Sequence, residues 1–307
     1  MEIQENIQLA PFTSFKIGGP AKYFVEVSAE EALLEALRFA KKNNLKIFLL
    51  GGGSNILVGD EGFDGLVIKM KNTESNVSED KIECGVGINL AEVVGLSVEN
   101  SLTGLEWAVG IPGTLGGAIC GNAGAYGSSI ADSLENVKII KLDNLEFEIM
   151  SKDECKFAYR ESVFKENKNL IIVSAVLKLQ KGNQEEIKNK IEEIIRQRGG
   201  KIPPERSSGS FFKNPKVDNQ QIIAKFEKET GNKVQDGTIP AAYLIDKVGL
   251  KGKKIGEAQV SEKHGNFVVN LGHARAEDIV MLTSFVKMKV RDELGIELKE
   301  EVQYIGF

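Results

Sequence analysis

Residues 107–131 read WAVGIPGTLGGAICGNAGAYGSSIA, a stretch with no charged residue and seven glycines. A membrane span would need about 20 mostly apolar residues in helical conformation. Each interior glycine costs a helix roughly 1 kcal/mol, and a proline about 3 kcal/mol. Gly110, Pro112, Gly113, Gly116, Gly117, Gly121, Gly124 and Gly127 therefore argue against a helix here. A chain so poor in side chains lets a large flat or phosphorylated ligand approach the backbone. Glycine allows this because it lacks a Cβ and reaches positive φ, which can point successive N–H groups at an anion. A second element of this kind, Gly51-Gly52-Gly53-Ser54-Asn55, directly follows the apolar strand candidate at 47–50. Two glycine loops after strands imply a nucleotide-type cofactor; the alternative is a pair of tight turns.

With 307 residues, the chain is long enough for two or three domains and a substantial core. Its 42% hydrophobic and 27% charged residues are those of an ordinary soluble globular protein. A net charge of −5 offers no electrostatic reason to expect nucleic acid or an anionic membrane as partner. Residues 1–9 are polar and lack a signal-peptide pattern, so a cytoplasmic protein is expected. Cys84, Cys120 and Cys155 are widely spaced and unpaired by motif, as reduced structural thiols would be. Only His264 and His273 exist, which disfavours a His-rich metal site and leaves a Ser-His-Asp hydrolase dependent on one of the two. No Walker A motif occurs. The candidate Rossmann turn Gly85-Val86-Gly87-Ile88-Asn89-Leu90 lacks its third glycine, so a dinucleotide would have to be held by another fold.

Along the chain, strands are expected at 23–27, 47–50, 66–70 and 81–86. A helix beginning at a Ser28/Glu31 capping box should run to Lys42, with Leu33, Leu34, Leu37 and Ala40 inward. Residues 71–80 look like a polar surface connection. A helix at 90–100 precedes the glycine-rich segment. Strands follow at 137–142, 145–150 and 170–179, and then a helix ends at Arg198 before Gly199-Gly200 and Pro203-Pro204. Helices at 219–230, 240–248 and 276–294, a strand at 266–270 and an alternating end at 298–305 complete the pattern. Mixed strands and helices without strict βαβ repetition indicate an α+β fold.

Eight motifs occur in order: TSFKIGGP (13–20), GGGSN (51–55), GIPGTLGGA (110–118), GNAGAYG (121–127), YRES-x-F-K (159–165), GSFFKNP (209–215), LKG-x-x-x-G-x-A-x-V-S-x-K-H (250–264) and L-x-x-E-V (298–302). Together they resemble the UDP-N-acetylenolpyruvoylglucosamine reductase family, also called UDP-N-acetylmuramate dehydrogenases, over nearly the whole chain. The resemblance implies a two-part FAD-binding region of the vanillyl-alcohol-oxidase type, at 1–72 and 73–202. An α+β substrate-binding domain would follow at 203–307, its C-terminal strand returning to the active site. It further implies non-covalent FAD, NADPH and UDP-N-acetylenolpyruvoylglucosamine used in turn at one site, and a role in bacterial peptidoglycan synthesis. A monomer is expected, with no membrane or nucleic-acid partner. Residues 179–201 leave room for one compact helix, as in the family's shorter second type. Tyr243 stands where many relatives have Trp, a departure read as packing.

The chemistry agrees with the residue types. Hydride addition to the terminal carbon of an enolpyruvyl ether puts negative charge on the neighbouring carbon and its carboxylate. That charge calls for fixed donors and an acid. By resemblance, Arg160, Ser210 and Glu301 are the catalytic set. Arg160 offers a bidentate carboxylate partner, Ser210 a proton, and Glu301, if protonated, a contact to the same charge, or else a group that orients the Arg. The resemblance places the FAD diphosphate against Gly51, Gly52, Gly53, Ser54 and Asn55, and against Pro112, Gly113, Thr114, Gly116 and Gly117. Asn122, Gly124 and Tyr126 fall beside the isoalloxazine. Tyr159, Arg198, Lys201, Lys213, Asn214 and Lys251 fall on the substrate. His264 is read as a turn cap or a site residue.

Blander alternatives stand beside each role: an interdomain ion pair for Arg160, a turn residue for Ser210, a solvated strand position for Glu301. Two other functions compete. A flavin oxidase of the same fold would often tether its cofactor through His or Cys, and no His precedes residue 264, although Cys120 remains. A sugar-nucleotide-binding protein without catalysis would not need the three residues together.

Overall fold

The computed structural model describes residues 1–200, 202–234 and 236–307. It divides into two compact units that interleave in sequence. The first comprises Met1–Ile7, Ala21–Gly53 and Asp64–Gly199; the second comprises Gln8–Pro20, Ser54–Phe63 and Gly200–Phe307. Two short N-terminal stretches, Gln8–Pro20 and Ser54–Phe63, thus cluster with the C-terminal third.

In the first unit, a four-stranded sheet takes the order Gln4–Gln8, Pro20–Val27, Phe63–Met70, Lys46–Leu50, with the last two parallel. The helix Glu30–Lys42 turns Leu33, Ala36, Leu37 and Ala40 into the core. Its start differs from the expected capping box. Ala29 is the N-cap with no side-chain cap bond. Glu30 instead pairs with Lys138 at 2.6 Å, and acidic residues at a helix N-terminus are favoured by its dipole. A five-stranded antiparallel sheet follows in the order Phe147–Ser151, Leu134–Lys141, Leu170–Lys178, Lys81–Gly85, Ser75–Ser78. Its outer strand Ser75–Ser78 occupies the supposed polar connection; an edge strand tolerates polar residues because one side needs no burial.

The glycine-rich segment corrects a firmer expectation. Leu115–Gly121 is a helix of seven residues, containing Gly116, Gly117 and Gly121. Leu115, Ala118 and Ile119 are buried, so packing offsets the poor intrinsic propensity. Thr114 caps it, its Oγ1 accepting from Gly117 N at 3.4 Å, and Asn122 ends it in the left-handed region at φ +41°.

In the second unit, the antiparallel sheet runs Arg206–Ser210, Phe267–Asn270, Ala258–Val260, Lys254–Ile255. The helix Ala276–Leu294 buries Ile279, Leu282, Val286 and Val290 in the same core as Phe211, Phe212 and Val260. Asp60 receives the Ala276 and Glu277 amides at that helix's N-terminus. Of the alternating end at 298–305, only Gln303–Ile305 forms a strand, parallel to Ile56–Val58. Tyr243 packs edge-on against Phe226 at 4.9 Å and donates to Glu229 at 2.8 Å, in keeping with a packing role. No helix among the described residues is long and apolar enough to cross a membrane.

Candidate active site

In the first unit the two glycine loops meet backbone to backbone. A Cβ on Gly52 would lie 2.6 Å from Gly113 Cα, and one on Gly51 would lie 2.6 Å from Thr114 Oγ1. A Cβ on Gly116 would stand 2.8 Å from Val86 Cβ. Close packing between protein segments therefore demands glycine at these three positions, in addition to any approach of a ligand. Gly117 and Gly121 differ: their added Cβ would meet only Thr114 Oγ1 at 3.7 Å, or nothing within 4 Å. Lys69, which the sequence reading passed over, donates to the Gly51 carbonyl from the neighbouring strand. Burial, with the charge of Lys71 adding, holds the Lys69 ammonium below its usual range. An ammonium at a glycine loop, packed against a second such loop, is a donor set that fits a dinucleotide's diphosphate. Gly53 continues the loop with φ +65°.

The YRES and GNAG motifs are tied together in the same unit. Ala158 and Glu161 exchange backbone hydrogen bonds of 3.1 and 3.0 Å, which puts Tyr159 and Arg160 at the tip of a tight turn. Arg160 has φ +58°, and Lys165 donates to its carbonyl at 2.5 Å. The Arg160 guanidinium donates to Gly124 O at 2.7 Å and to Asn122 O at 3.4 Å, and lies 5.4 Å from the Tyr159 ring. Asn122 Nδ2 donates to Ala158 O at 2.8 Å, while buried Ser162 donates to Cys120 O at 2.7 Å. Asn122 thus braces the turn that carries Arg160. Arg198 reaches the same region, donating to Trp107 O at 3.4 Å with its guanidinium 5.6 Å from the exposed Tyr126 ring. Pro112 stands just before Gly113. Burial pushes the Cys84 and Cys155 thiols up to about 11, and raises Cys120 as well, as inert thiols require.

The second unit holds Ser210 and Glu301 on adjoining segments. Ser210 ends its strand opposite Phe267, after a bulge that contains Gly209 at φ +79°. Phe211 O accepts the Glu301 amide at 2.8 Å, and Phe212 bridges Glu300. Asn55 donates from Nδ2 to Glu301 O at 3.3 Å, and its own carbonyl accepts from Gln303 N at 3.1 Å. Ser54 O receives the Ser14 hydroxyl at 3.4 Å. Asn55, the last residue of GGGSN, therefore braces the Glu301 segment. Asn214 Oδ1 accepts from Ala241 N at 3.0 Å, at the start of the helix Ala241–Lys247. Lys213 N donates to Lys299 O, and Lys251 pairs with Asp246 at 3.0 Å. His264 Nδ1 accepts from Asn266 N at 3.3 Å, as a turn cap would. Lys201 lies outside the described residues. A cavity of about 410 Å³ in the first unit, bordered by Val27, Met70, Asn72, Glu83, Lys138 and Ser174, shares no residue with this set.

Comparison with known proteins supplies the frame for this geometry. Residues 21–144 match the family model for an FAD binding domain. Residues 202–305 match the model for the C-terminal domain of UDP-N-acetylenolpyruvoylglucosamine reductase. A curated reductase of that name from Solibacter usitatus is 34% identical, aligned over 100% of this chain and 97% of its own. One from Caldanaerobacter subterraneus is 37% identical over 96% of this chain and 90% of its own. The chain belongs to the UDP-N-acetylenolpyruvoylglucosamine reductase family. The crystal structure of the reductase from Thermus caldophilus superposes with a TM-score of 0.79 at 32% identity, covering 99% of both chains. The enzyme is accordingly a flavin-dependent oxidoreductase with the family's reductase activity in peptidoglycan precursor synthesis, on an α+β fold.

Replacing Gly52 by Val is expected to give protein poor in flavin. The branched side chain would separate the two loops that meet at Gly113, and β-branching stiffens the turn. Gly116→Val should act alike through Val86. Flavin absorbance per protein at the wild-type level in both variants would remove these loops from the cofactor site.

Proposed function

We propose that this enzyme reduces the enolpyruvyl ether of UDP-N-acetylenolpyruvoylglucosamine to UDP-N-acetylmuramate, with NADPH as reductant and FAD as resident cofactor. The observation that carries this reading is the Arg160 turn. Asn122, Ser162 and Lys165 fix its backbone, and its guanidinium rests on the Asn122 and Gly124 carbonyls of the glycine-rich segment. A planar cation held at a flavin-binding loop suits a substrate that carries a carboxylate beside its reacting double bond.

FAD, when bound, supplies the hydride chemistry between NADPH and the substrate. Gly51–Gly53 and Pro112–Gly117 would hold its diphosphate, aided by Thr114, whose hydroxyl proton is not needed for capping. Lys69 would add a positive charge behind the loop. The segment with Asn122, Gly124 and Tyr126 would border the flavin ring. Arg160 would bind the substrate carboxylate and stabilise the charge that develops there. Glu301 would donate to the same charge as a neutral carboxylic acid, or orient Arg160 as a carboxylate, and Ser210 would deliver the proton to the carbon beside the carboxylate. Tyr159, Arg198, Lys201, Lys213, Asn214 and Lys251 would hold the sugar nucleotide. In this reading residues 1–72 and 73–202 form the cofactor-binding region and 203–307 the substrate domain, in a monomeric cytoplasmic enzyme.

Anaerobic mixing tests the reading directly. NADPH should bleach the yellow protein, and UDP-N-acetylenolpyruvoylglucosamine should then restore the colour with one UDP-N-acetylmuramate formed per flavin. Restoration by air but not by the enolpyruvyl substrate would point to a flavin oxidase and overturn the proposal.

A further inference from the structure

Asn266 is buried, at 3% exposure, and lies on the turn that precedes the strand Phe267–Asn270. Its carboxamide pairs with both main-chain groups of one residue, Phe212. Oδ1 accepts from Phe212 N at 2.9 Å, and Nδ2 donates to Phe212 O at 2.8 Å. Its main-chain carbonyl accepts from Phe211 N at 2.8 Å. Asn266 thus acts as a strand partner for the two residues after Ser210, through its main chain at Phe211 and its side chain at Phe212, just after the bulge between Ser207 and Ser210. The same two residues carry the contacts to the next segment: Phe211 O with Glu301 N, and Phe212 with Glu300. Asparagine is the side chain that offers one acceptor and a donor at peptide spacing; Asp lacks the donor, Leu lacks both, and Gln is one methylene too long.

We infer that Asn266 is a positioning residue, which sets the Ser210 hydroxyl relative to Glu301 by pinning the Phe211–Phe212 backbone between them. This rests on the reading that Ser210 delivers the proton. Both Phe residues are buried, so a loss of pinning would be taken up by the exposed end of the strand, where Ser210 stands. A shift of an ångström at a proton donor commonly costs about 10²-fold in rate.

The test uses the holoenzyme with its flavin reduced beforehand by dithionite, then mixed anaerobically with UDP-N-acetylenolpyruvoylglucosamine. Asn266→Asp, which retains the acceptor, and Asn266→Leu are compared in the wild-type and Ser210→Ala backgrounds. Flavin content and melting temperature are recorded for each. The expected result is a reoxidation rate about 10²-fold lower in Asn266→Leu, a smaller loss in Asn266→Asp, and wild-type flavin content in both. In the Ser210→Ala background the Asn266 substitutions should add little, because the group they position is gone. Equal cost in both backgrounds, or a rate loss matched by lost flavin, would make Asn266 a purely structural residue and overturn the inference. Full reoxidation speed in Ser210→Ala alone would instead overturn the role of Ser210, and this inference with it. If Asn266→Leu does not fold, Asn266→Asp alone decides by the same two-background comparison.

Discussion

Ser210→Ala is expected to be bleached by NADPH at close to the wild-type rate but reoxidised by UDP-N-acetylenolpyruvoylglucosamine about 10²- to 10⁴-fold more slowly, the usual cost of a lost positioned acid. The first half-reaction needs no proton from this hydroxyl, whereas the second requires protonation of the carbon next to the carboxylate. The structure makes the substitution a clean one. Ser210 is exposed at its strand end, and the residues that anchor the segment are the buried Phe211 and Phe212. Removing one exposed oxygen therefore leaves the core and the Asn266 contacts intact. Ser210→Cys retains a small donor and should recover part of the rate. Stopped-flow traces of both half-reactions distinguish the outcomes. Equal slowing of the two would mean that Ser210 shapes the pocket and does not donate the proton.

The second large effect is expected at Arg160. Arg160→Lys keeps the charge but loses the planar fork, which presents two parallel donors to a carboxylate. Turnover should fall about 10²-fold, the scale of losing one preorganised donor to developing charge. Folding should change far less. Lysine can still reach a carbonyl at Gly124 or Asn122, and the left-handed φ of +58° strains both residues equally. The loss of one of these charge-assisted contacts is worth about 1.5–3 kcal/mol. The comparison is of turnover against melting temperature and flavin content. Unchanged turnover with the enolpyruvyl substrate would show that Arg160 does not hold the carboxylate; a collapse of melting temperature would assign it to structure.

Local signals read well where the physics is local. The helix Ala276–Leu294 has the expected bounds because its apolar period and the left-handed Gly295 at its end are both written within the segment. The helix Gln220–Thr230 likewise shows its Asn219 cap and closing Gly231. Ser28 and Glu31 made the same kind of signal and did not form the capping box, because the helix starts at Glu30 with Ala29, not Ser28, as its N-cap. The site shows the same division. The motifs marked Arg160, Ser210 and Glu301 as candidates, but not what holds each of them. Asn122, Asn55 and Asn266 act on segments 36, 246 and 54 residues distant, and no pattern within a motif encodes such a partner.

By itself, the order of eight motifs carried the resemblance to the family and, through it, the residues expected to serve flavin-dependent reduction, while the mixed strand and helix pattern indicated the α+β class. The tertiary structure alone decided why the glycines are glycine and that the C-terminal strand Gln303–Ile305 pairs with Ile56–Val58. Gly51, Gly52 and Gly116 have no room for a Cβ because distant backbone or side-chain atoms occupy it. The helix Leu115–Gly121 exists because Leu115, Ala118 and Ile119 are buried, although three of its seven residues disfavour helix. Propensities of roughly 1 kcal/mol per residue are within reach of a sequence reading; the burial that outweighs them belongs to neighbours brought together only by folding.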